Sequence, residues 1–341
     1  MKLSAELQRQ YDEFCTVIDY AEGTRFKKEW VKKDVLKTIR RAGVLDVTQL
    51  GPSFRWNLCA ARLRSRRFDD WDGWEYRSNW AITFQGYNGF NRLKIPKWMG
   101  QPTSHLVVLG EQGVGDEIYF ASALPDLIYR IGPKAIEFQT YPRLQPIIQR
   151  SLRIKCTDRK VLSQVTEGEY CVALGDLLRF YRRDPSHFPG KPFLKPDPAR
   201  VEEWSERLAQ FGDRPKIGIA WKARHGVLDP SKLMADKDAV YVSLQYGEKP
   251  IDGIYDLGQD PLTDMEGHFA LIAALDKVVS VTQTCVHVAG SLGKECHAVI
   301  PPRGTGEVNN FLWYYHTGGR LPAYHSVIVY PNIEEFVFAR N

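Results

Sequence analysis

A short apolar run, a glycine-rich turn and a helical stretch follow one another directly from His105. The run HLVVLG (105–110) has the length and apolar content of a buried strand, EQGVGD (111–116) is a turn, and residues 117–132 show helical spacing. Residues 135–141 have the pattern of a second strand. Together they form a βαβ unit, which predicts a parallel sheet covered by helices.

The same alternation continues along the chain in two halves. Five prolines between Pro185 and Pro198 interrupt it and mark a crossing between domains. We therefore predict an α/β protein with two Rossmann-like lobes, an N-terminal helical appendage and a binding cleft between the lobes. The predicted boundaries are 1–100 for the appendage and linker, 101–184 for the first lobe, 185–198 for the link, 199–331 for the second lobe and 332–341 for a terminal helix.

Composition excludes several classes of protein. Of the 341 residues, 43% are hydrophobic and 26% are charged, which excludes wholesale disorder and a collagen-like chain. The start lacks the apolar stretch of a signal peptide and no apolar run is long enough to span a bilayer, so we expect a cytoplasmic location. The six cysteines are scattered without zinc spacing, so we expect free thiols and no metal site.

The positive charge of the chain is concentrated in its first third. Residues 1–100 hold 19 Lys and Arg against 12 Asp and Glu, whereas residues 101–341 hold 27 against 29. Six of the nine tryptophans also lie there, and basic side chains with aromatic neighbours suit a nucleic-acid surface. A solvated helical face with tryptophans in its core is the alternative. The candidate nucleic-acid contacts are Lys27, Lys28, Lys32, Lys33, Arg64, Arg66 and Arg67.

The glycine turn carries the first candidate functional residue. Gly113 and Gly115 would let the backbone approach a ligand closely, and Asp116 would lie in the first turn of the following helix, at the carboxyl edge of the sheet. The turn does not match the G-x-G-x-x-G dinucleotide pattern. The alternative is that Asp116 only caps the helix.

Two further segments have donor-binding chemistry. Thr282, Gln283 and Thr284 lie where a strand ends and a helix begins, so they would present polar groups beside free helix N–H groups, a site that suits a diphosphate. The alternative is that Thr284 caps the helix and His287 packs against the sheet. Residues near the ends of two neighbouring strands could reach the same edge, where the basic ones would neutralise phosphate charge: Trp221, Lys222, Lys232 and Gln245. The alternative is a solvated basic loop.

Eight motifs follow one another in a fixed order over residues 54–331. They are WNLCA with RFDDWDGWEYR (56–60 and 67–77), PKWMG (96–100), EQGVGD (111–116), GIAWK (218–222), VSLQYG (242–247), LDKVVS (275–280), HVAGSLG (287–293) and WYY (313–315). This series resembles the glycosyltransferases that follow tetratricopeptide repeats in bacterial proteins, relatives of the ADP-heptose heptosyltransferases. Collinear matches over most of the chain make the resemblance specific.

The resemblance implies a GT-B fold in which the N-terminal lobe holds the acceptor and the C-terminal lobe holds a nucleotide-sugar. It also implies an inverting transfer without metal or cofactor, with Asp116 as general base and Lys232 at the donor phosphates. His287 matches the family's D-T-x-x-x-H donor segment, whereas Thr282 and Gln283 replace its Asp and Thr. This departure leaves the identity of the donor open.

The acceptor is inferred from the basic appendage. A repeat array reduced to a short basic segment fits a viral enzyme that glycosylates a hydroxymethylated base of DNA in the host cytoplasm. A second hypothesis keeps the transferase and makes the acceptor a surface glycan or a protein. A third is a non-catalytic binding module whose helices over 4–42 dock a protein partner.

Overall fold

The computed structural model describes residues 3–20, 32–33, 36–37, 40, 96–111, 113–159, 169–223, 226–248, 251–301 and 319–339. In the N-terminal region, helix α1 (Ala5–Tyr20) lies in the first half of the stretch 4–42, where the sequence predicts helices. The second half of this stretch falls mostly outside the described residues, and the motif over 56–77 falls entirely outside them.

The N-terminal lobe consists of β1 (Leu106–Leu109), α2 (Val114–Phe120), α3 (Leu124–Ile131), β2 (Ile136–Thr140), α4 (Gln145–Leu152), β3 (Lys155–Asp158), β4 (Tyr170–Ala173) and α5 (Leu177–Tyr181). Its described strands pair in the order β3, β2, β1, β4, and every pairing is parallel. All residues of β1 are buried, as expected for the centre of a parallel sheet with helices on both faces.

The helix predicted over 117–132 is divided in the structure. It begins earlier, at Val114, and α2 ends at Phe120 before a 3-10 turn leads into α3. Pro125 lies at the start of α3 and explains the break, since proline lacks an N–H and its ring clashes with the preceding turn of a continuous helix. Asp116 is therefore in the first turn of α2.

The C-terminal lobe consists of α6 (Pro198–Ala209), β5 (Lys216–Ala220), β6 (Lys222–Ala223), β7 (Gly226–Val227), α7 (Pro230–Leu233), β8 (Val240–Ser243), β9 (Ile254–Tyr255), α8 (Met265–Ala274), β10 (Lys277–Val281), α9 (Thr284–Leu292), β11 (Cys296–Val299), β12 (Gly319–Leu321), β13 (Tyr324–Tyr330) and α10 (Ile333–Phe338). Its main sheet has the order β12, β13, β11, β10, β5, β8, β9 among the described strands. The pairings are parallel except that of β12 with β13. The α/β class predicted from the sequence is confirmed.

Side chains of the C-terminal sheet alternate between two apolar cores. Ile219 of β5 packs in the same core as Leu233 of α7 and Phe336 of α10. Its neighbour Ala220 belongs to the other core, which contains the buried residues of α8 and α9. Helices α7 and α9 therefore lie on opposite faces of the sheet.

The lobes are joined by a proline-rich link and by contacts between their helices. The N–H groups of Phe193 and Leu194 in the link both donate to the carbonyl of Ser291 at the end of α9, at 3.0 and 3.1 Å. On the N-terminal lobe, Arg150 forms an ion pair of 2.8 Å with Glu266 of α8. These contacts hold the two lobes against each other.

Among the described helices, none has both the length and the apolar content required to cross a membrane.

Candidate active site

In each sheet, the direction in which successive strands are added reverses at one point in the strand order. In the N-terminal sheet this point lies between β1 and β4, and the glycine turn follows β1. In the C-terminal sheet it lies between β5 and β10, and Thr282–Thr284 follow β10. Ligands of open α/β sheets bind outside the carboxyl ends of the strands at such points. The two motifs therefore occupy the positions where this fold holds its ligands.

Asp116 is half-buried in the first turn of α2. Glycine at position 113 leaves room for its carboxylate, because a Cβ there would lie 3.0 Å from Asp116 Oδ2. Asp116 also interacts electrostatically with Tyr141, which follows β2. Burial is the main cause of the raised pKa of the Tyr141 hydroxyl, and the negative charge of Asp116 raises this pKa further. A carboxylate in this partly open position can accept a proton from a ligand.

The start of α9 provides the second part of the site. Gln283 occupies the N-cap position, and its side chain, which is longer than that of a typical capping residue, makes no capping hydrogen bond. The buried Gln283 Nε2 has no hydrogen-bond partner among the described residues. The first N–H groups of a helix have no partner within the helix and lie at the positive end of its dipole. Together with the hydroxyls of Thr282 and Thr284, they suit an anionic ligand.

Helices α2 and α9 come from different lobes and pack directly against each other at Gly115. A Cβ at position 115 would lie 3.1 Å from His287 Cδ2 and 3.4 Å from Thr284 Oγ1. The absence of a side chain therefore permits this close approach. Because Asp116 follows Gly115, the turn that carries the carboxylate and the start of α9 meet between the lobes.

His287 lies one turn into α9 and is buried in an aromatic cluster between the lobes. Its ring centroid is 5.6 Å from that of Tyr119 and 6.0 Å from that of Tyr324, both in edge-to-face geometry. Burial lowers the pKa of His287 to about 3, so the imidazole is neutral at physiological pH. A role for His287 at a diphosphate is therefore limited to hydrogen bonding.

Trp221, Lys222 and Gln245 form a connected group at the end of β5. Trp221 is buried in the core, and the backbone N–H groups of Trp221 and Lys222 donate to Gln245 Oε1 at 3.2 and 3.0 Å. Lys222 Nζ pairs with Glu248 Oε1 at 2.6 Å. In this structure Gln245 braces the strand end, and the charge of Lys222 is compensated by a carboxylate.

Lys232 is exposed on α7. The neighbouring Leu233 packs on the face of the sheet opposite to α9. The function of Lys232 at the donor phosphates stays a prediction of the resemblance.

The described part of the chain includes two of the predicted nucleic-acid contacts. Lys33 is exposed, and the half-buried Lys32 accepts a hydrogen bond at its carbonyl from the Tyr11 hydroxyl at 3.2 Å. The other five lie outside the described residues: Lys27, Lys28, Arg64, Arg66 and Arg67.

Five of the six cysteines lie in described segments and are free thiols: Cys15, Cys156, Cys171, Cys285 and Cys296. Within these segments no group of three or more His, Cys, Asp or Glu residues is arranged to hold a metal ion. The independence of the reaction from metal stays a prediction of the resemblance.

Sequence reasoning did not single out the charged residues beneath the glycine turn. Glu117 is buried and pairs with Arg159 at 3.1 Å. The sequence does indicate that Glu117 is buried, because it lies three residues after Val114 on a helix face that is otherwise apolar. Arg159 follows β3 in a polar stretch and carries no comparable signal.

Comparison of the sequence with known proteins finds similarity over part of the chain. No protein-family model matches the chain. Protein FlbA of Caulobacter vibrioides is 29% identical over 268 residues, which cover 66% of this chain and 44% of FlbA. The chain thus spans less than half the length of this curated relative.

Two solved structures have similar folds. The ADP-heptose LPS heptosyltransferase II of E. coli has a TM-score of 0.47 at 13% identity, and the match covers 66% of this chain and 90% of that chain. The glycosyl transferase family 9 protein of Veillonella parvula has a TM-score of 0.49 at 10% identity, covering 71% and 90%.

Proposed function

We propose that this chain is an inverting glycosyltransferase that moves a sugar from a nucleotide-sugar to a hydroxyl group. The observation that carries the proposal is the meeting of the Asp116 turn with the start of α9 at Gly115. Displacement of a diphosphate by a hydroxyl needs a base on one side of the reacting carbon and stabilisation of negative charge on the other. The motif series from Trp56 to Tyr315 supports the same reaction.

The proposed reaction is a single in-line displacement. The acceptor hydroxyl gives its proton to the Asp116 carboxylate as its oxygen forms a bond to the anomeric carbon. The bond from that carbon to the diphosphate oxygen breaks, and its electron pair leaves with the diphosphate. Because the attack and the departure occur on opposite faces, the configuration at the anomeric carbon is inverted.

The donor diphosphate is proposed to lie at the start of α9. The helix N–H groups and the Thr284 hydroxyl would donate to its oxygens, and the buried Gln283 amide supplies a further donor. His287 is neutral, so the charge that develops on the diphosphate is offset by the helix terminus and by cations such as Lys232. Which nucleotide carries the sugar is a separate question, because Thr282 and Gln283 differ from the heptosyltransferase pattern.

Replacement of Thr284 by valine is expected to weaken binding of the preferred nucleoside diphosphate about tenfold, since one hydrogen bond to a charged group is lost. Isothermal titration with ADP, GDP, UDP, CDP and dTDP measures this. Thr263→Val, in an exposed loop of the same lobe, is the matched control and should bind like the wild type. Equal affinity of the Thr284 variant and the wild type, or no binding of any diphosphate, would count against the site.

For the acceptor, we propose a hydroxymethylated base in DNA, as the basic appendage suggests. Eight basic residues against three acidic ones between Glu22 and Arg41 support phosphate contacts, and the interleaved aromatic residues support stacking on an unpaired base. A surface glycan or a protein is the second candidate acceptor, because the motifs resemble a glycosyltransferase family in general and the basic appendage alone points to DNA.

The DNA proposal predicts retention on immobilised DNA that weakens steeply with salt. Substituting Lys27, Lys28, Lys32 and Lys33 by glutamine should reduce the slope of log affinity against log salt by about 3 to 4. The pair Lys195→Gln and Lys237→Gln, exposed in and near the C-terminal lobe, should leave it unchanged. Saccharide binding without DNA retention would favour the glycan, and absence of nucleotide-sugar binding would favour a non-catalytic module.

A further inference from the structure

Glu117 forms a buried hydrogen-bond network beneath the glycine turn. Its Oε1 accepts from the Thr140 hydroxyl and, at 3.1 Å, from the Tyr141 N–H. Its Oε2 accepts from the Glu111 N–H at 3.2 Å and from Arg159 Nη1 at 3.1 Å. All four partners are donors, so the ionised carboxylate satisfies each of them.

The network holds Glu111, the first residue of the turn, through both its backbone N–H and its backbone carbonyl. The Glu111 N–H donates to Glu117, and the Glu111 carbonyl accepts from Arg159 Nη1 at 2.6 Å. The Glu111 side chain accepts from the Gly175 N–H at 2.9 Å, just after β4. The turn is thereby tied to residues that follow β2, β3 and β4.

Close packing leaves the Glu117 side chain little freedom. A Cβ at position 110 would lie 2.8 Å from Glu117 Oε2 and 2.7 Å from the carbonyl oxygen of Gln139. Glycine at this position therefore allows the carboxylate to lie under the turn. The Arg159 guanidinium is packed in turn over the Tyr141 ring, 4.0 Å from its centroid.

We infer that Glu117 is a positioning residue: its pairing with Arg159 fixes the glycine turn and thereby orients Asp116 toward the acceptor hydroxyl. Asp116 and Glu117 are adjacent on α2 but point in different directions, the first half-buried and the second fully buried. Tethers on both sides of the turn restrict the movement of the catalytic carboxylate. This inference rests on the proposed function of Asp116.

The charge state of Glu117 is linked to its burial. Desolvation raises its pKa from an ordinary 4.5 to about 7, against the opposing effects of Thr140 and Arg159. Protonation would remove the ion pair with Arg159, so the network is complete only above this pH. The charged or titratable groups on the elements packed around Glu117 are Glu111, Asp116, Tyr141, Cys156, Arg159, Asp176 and His287.

The raised pKa has a defined effect on stability. A carboxyl group whose folded pKa lies above its unfolded value contributes stability that is present below about pH 4.5 and is lost as the pH rises through about 7. Removal of this group should therefore flatten the fall in melting temperature between pH 5 and pH 8.5. A glutamine at position 117 does not titrate and tests this directly.

The test compares Glu117→Gln with Glu137→Gln, which alters a carboxylate at the opposite end of the same sheet that pairs with Lys155 at 2.6 Å. Glu117→Gln is expected to lower kcat about tenfold or more, with the donor KM within about twofold, and to remove an inflection near pH 7 from the pH profile of kcat. Hydrogen exchange at amides 110–116 should become about tenfold faster. Glu137→Gln should change none of these.

Unchanged kcat together with unchanged exchange in Glu117→Gln would overturn the inference. A fall in kcat with unchanged exchange would also overturn it, because Glu117 would then act without holding the turn. Should Glu117→Gln fail to fold, Thr140→Val removes one donor, keeps the ion pair, and should give a smaller effect in the same directions. If the wild type transfers no sugar, the proposed function fails, and the exchange rates alone decide whether Glu117 holds the turn.

Discussion

Replacement of Asp116 by asparagine is expected to lower the rate of sugar transfer about 1000-fold while leaving nucleotide-sugar affinity within about twofold. Asparagine has nearly the same shape and cannot accept the proton of the acceptor hydroxyl. The diphosphate is proposed to bind at the start of α9 on the other lobe, so its contacts do not depend on this carboxylate. Transfer is measured as release of nucleoside diphosphate, and affinity by isothermal titration.

Asp213→Asn provides the matched control for this prediction, because Asp213 is an exposed carboxylate in the turn before β5. Its kcat and affinity should match those of the wild type. A turnover of Asp116→Asn close to that of the wild type would remove Asp116 as the base. A loss of donor affinity equal to the loss of rate would instead place Asp116 at the donor.

Replacement of Gly290 by alanine is expected to destabilise the protein by about 3 kcal/mol, which lowers the melting temperature by about 6 to 12 °C. A Cβ at position 290 of α9 would overlap ring carbons of Tyr324. Tyr324 is fully buried and its ring contacts Tyr119, with centroids 5.8 Å apart, so it has little space into which to move. Thermal unfolding followed by circular dichroism measures the loss.

The double variant of Gly290→Ala with Tyr324→Leu tests the cause of this destabilisation. If the clash with the ring is responsible, the double variant should lose less stability than the sum of the two single variants. Additive losses, or a Gly290→Ala protein with the melting temperature of the wild type, would show that α9 and β13 are not packed as closely as described. Because α9 also carries Thr284, we expect donor binding to weaken in Gly290→Ala.

Elements with strong local patterns could be predicted from the sequence. The strand expected over 105–110 is β1, and the helix expected to begin at residues 282–284 is α9, which begins at Thr284. Strand β4 (Tyr170–Ala173) was missed because its apolar residues continue without a turn signal into the 3-10 turn that begins at Leu174. Strand β13 (Tyr324–Tyr330) was also missed, although apolar and polar residues partly alternate in it.

The chemistry of the site was readable from the sequence, whereas its geometry was not. Asp116 and Thr284 each follow a strand in a pattern that indicates a ligand site, so both could be named. Their proximity depends on how two lobes dock at Gly115, which no local pattern encodes. The burial of His287 against Tyr119 depends on the same docking, and so does its low pKa.

The most direct test of the account is a transfer assay with a panel of nucleotide-sugars and four acceptors: hydroxymethylated DNA, plain DNA, a saccharide and a protein. Mass spectrometry of the intact acceptors and of the digested nucleosides reads the product. The wild-type protein is expected to add the mass of one sugar to a hydroxyl-bearing acceptor, and Asp116→Asn is expected to add about 1000-fold less in the same time. No mass gain with any donor, or the same gain with Asp116→Asn, would contradict it.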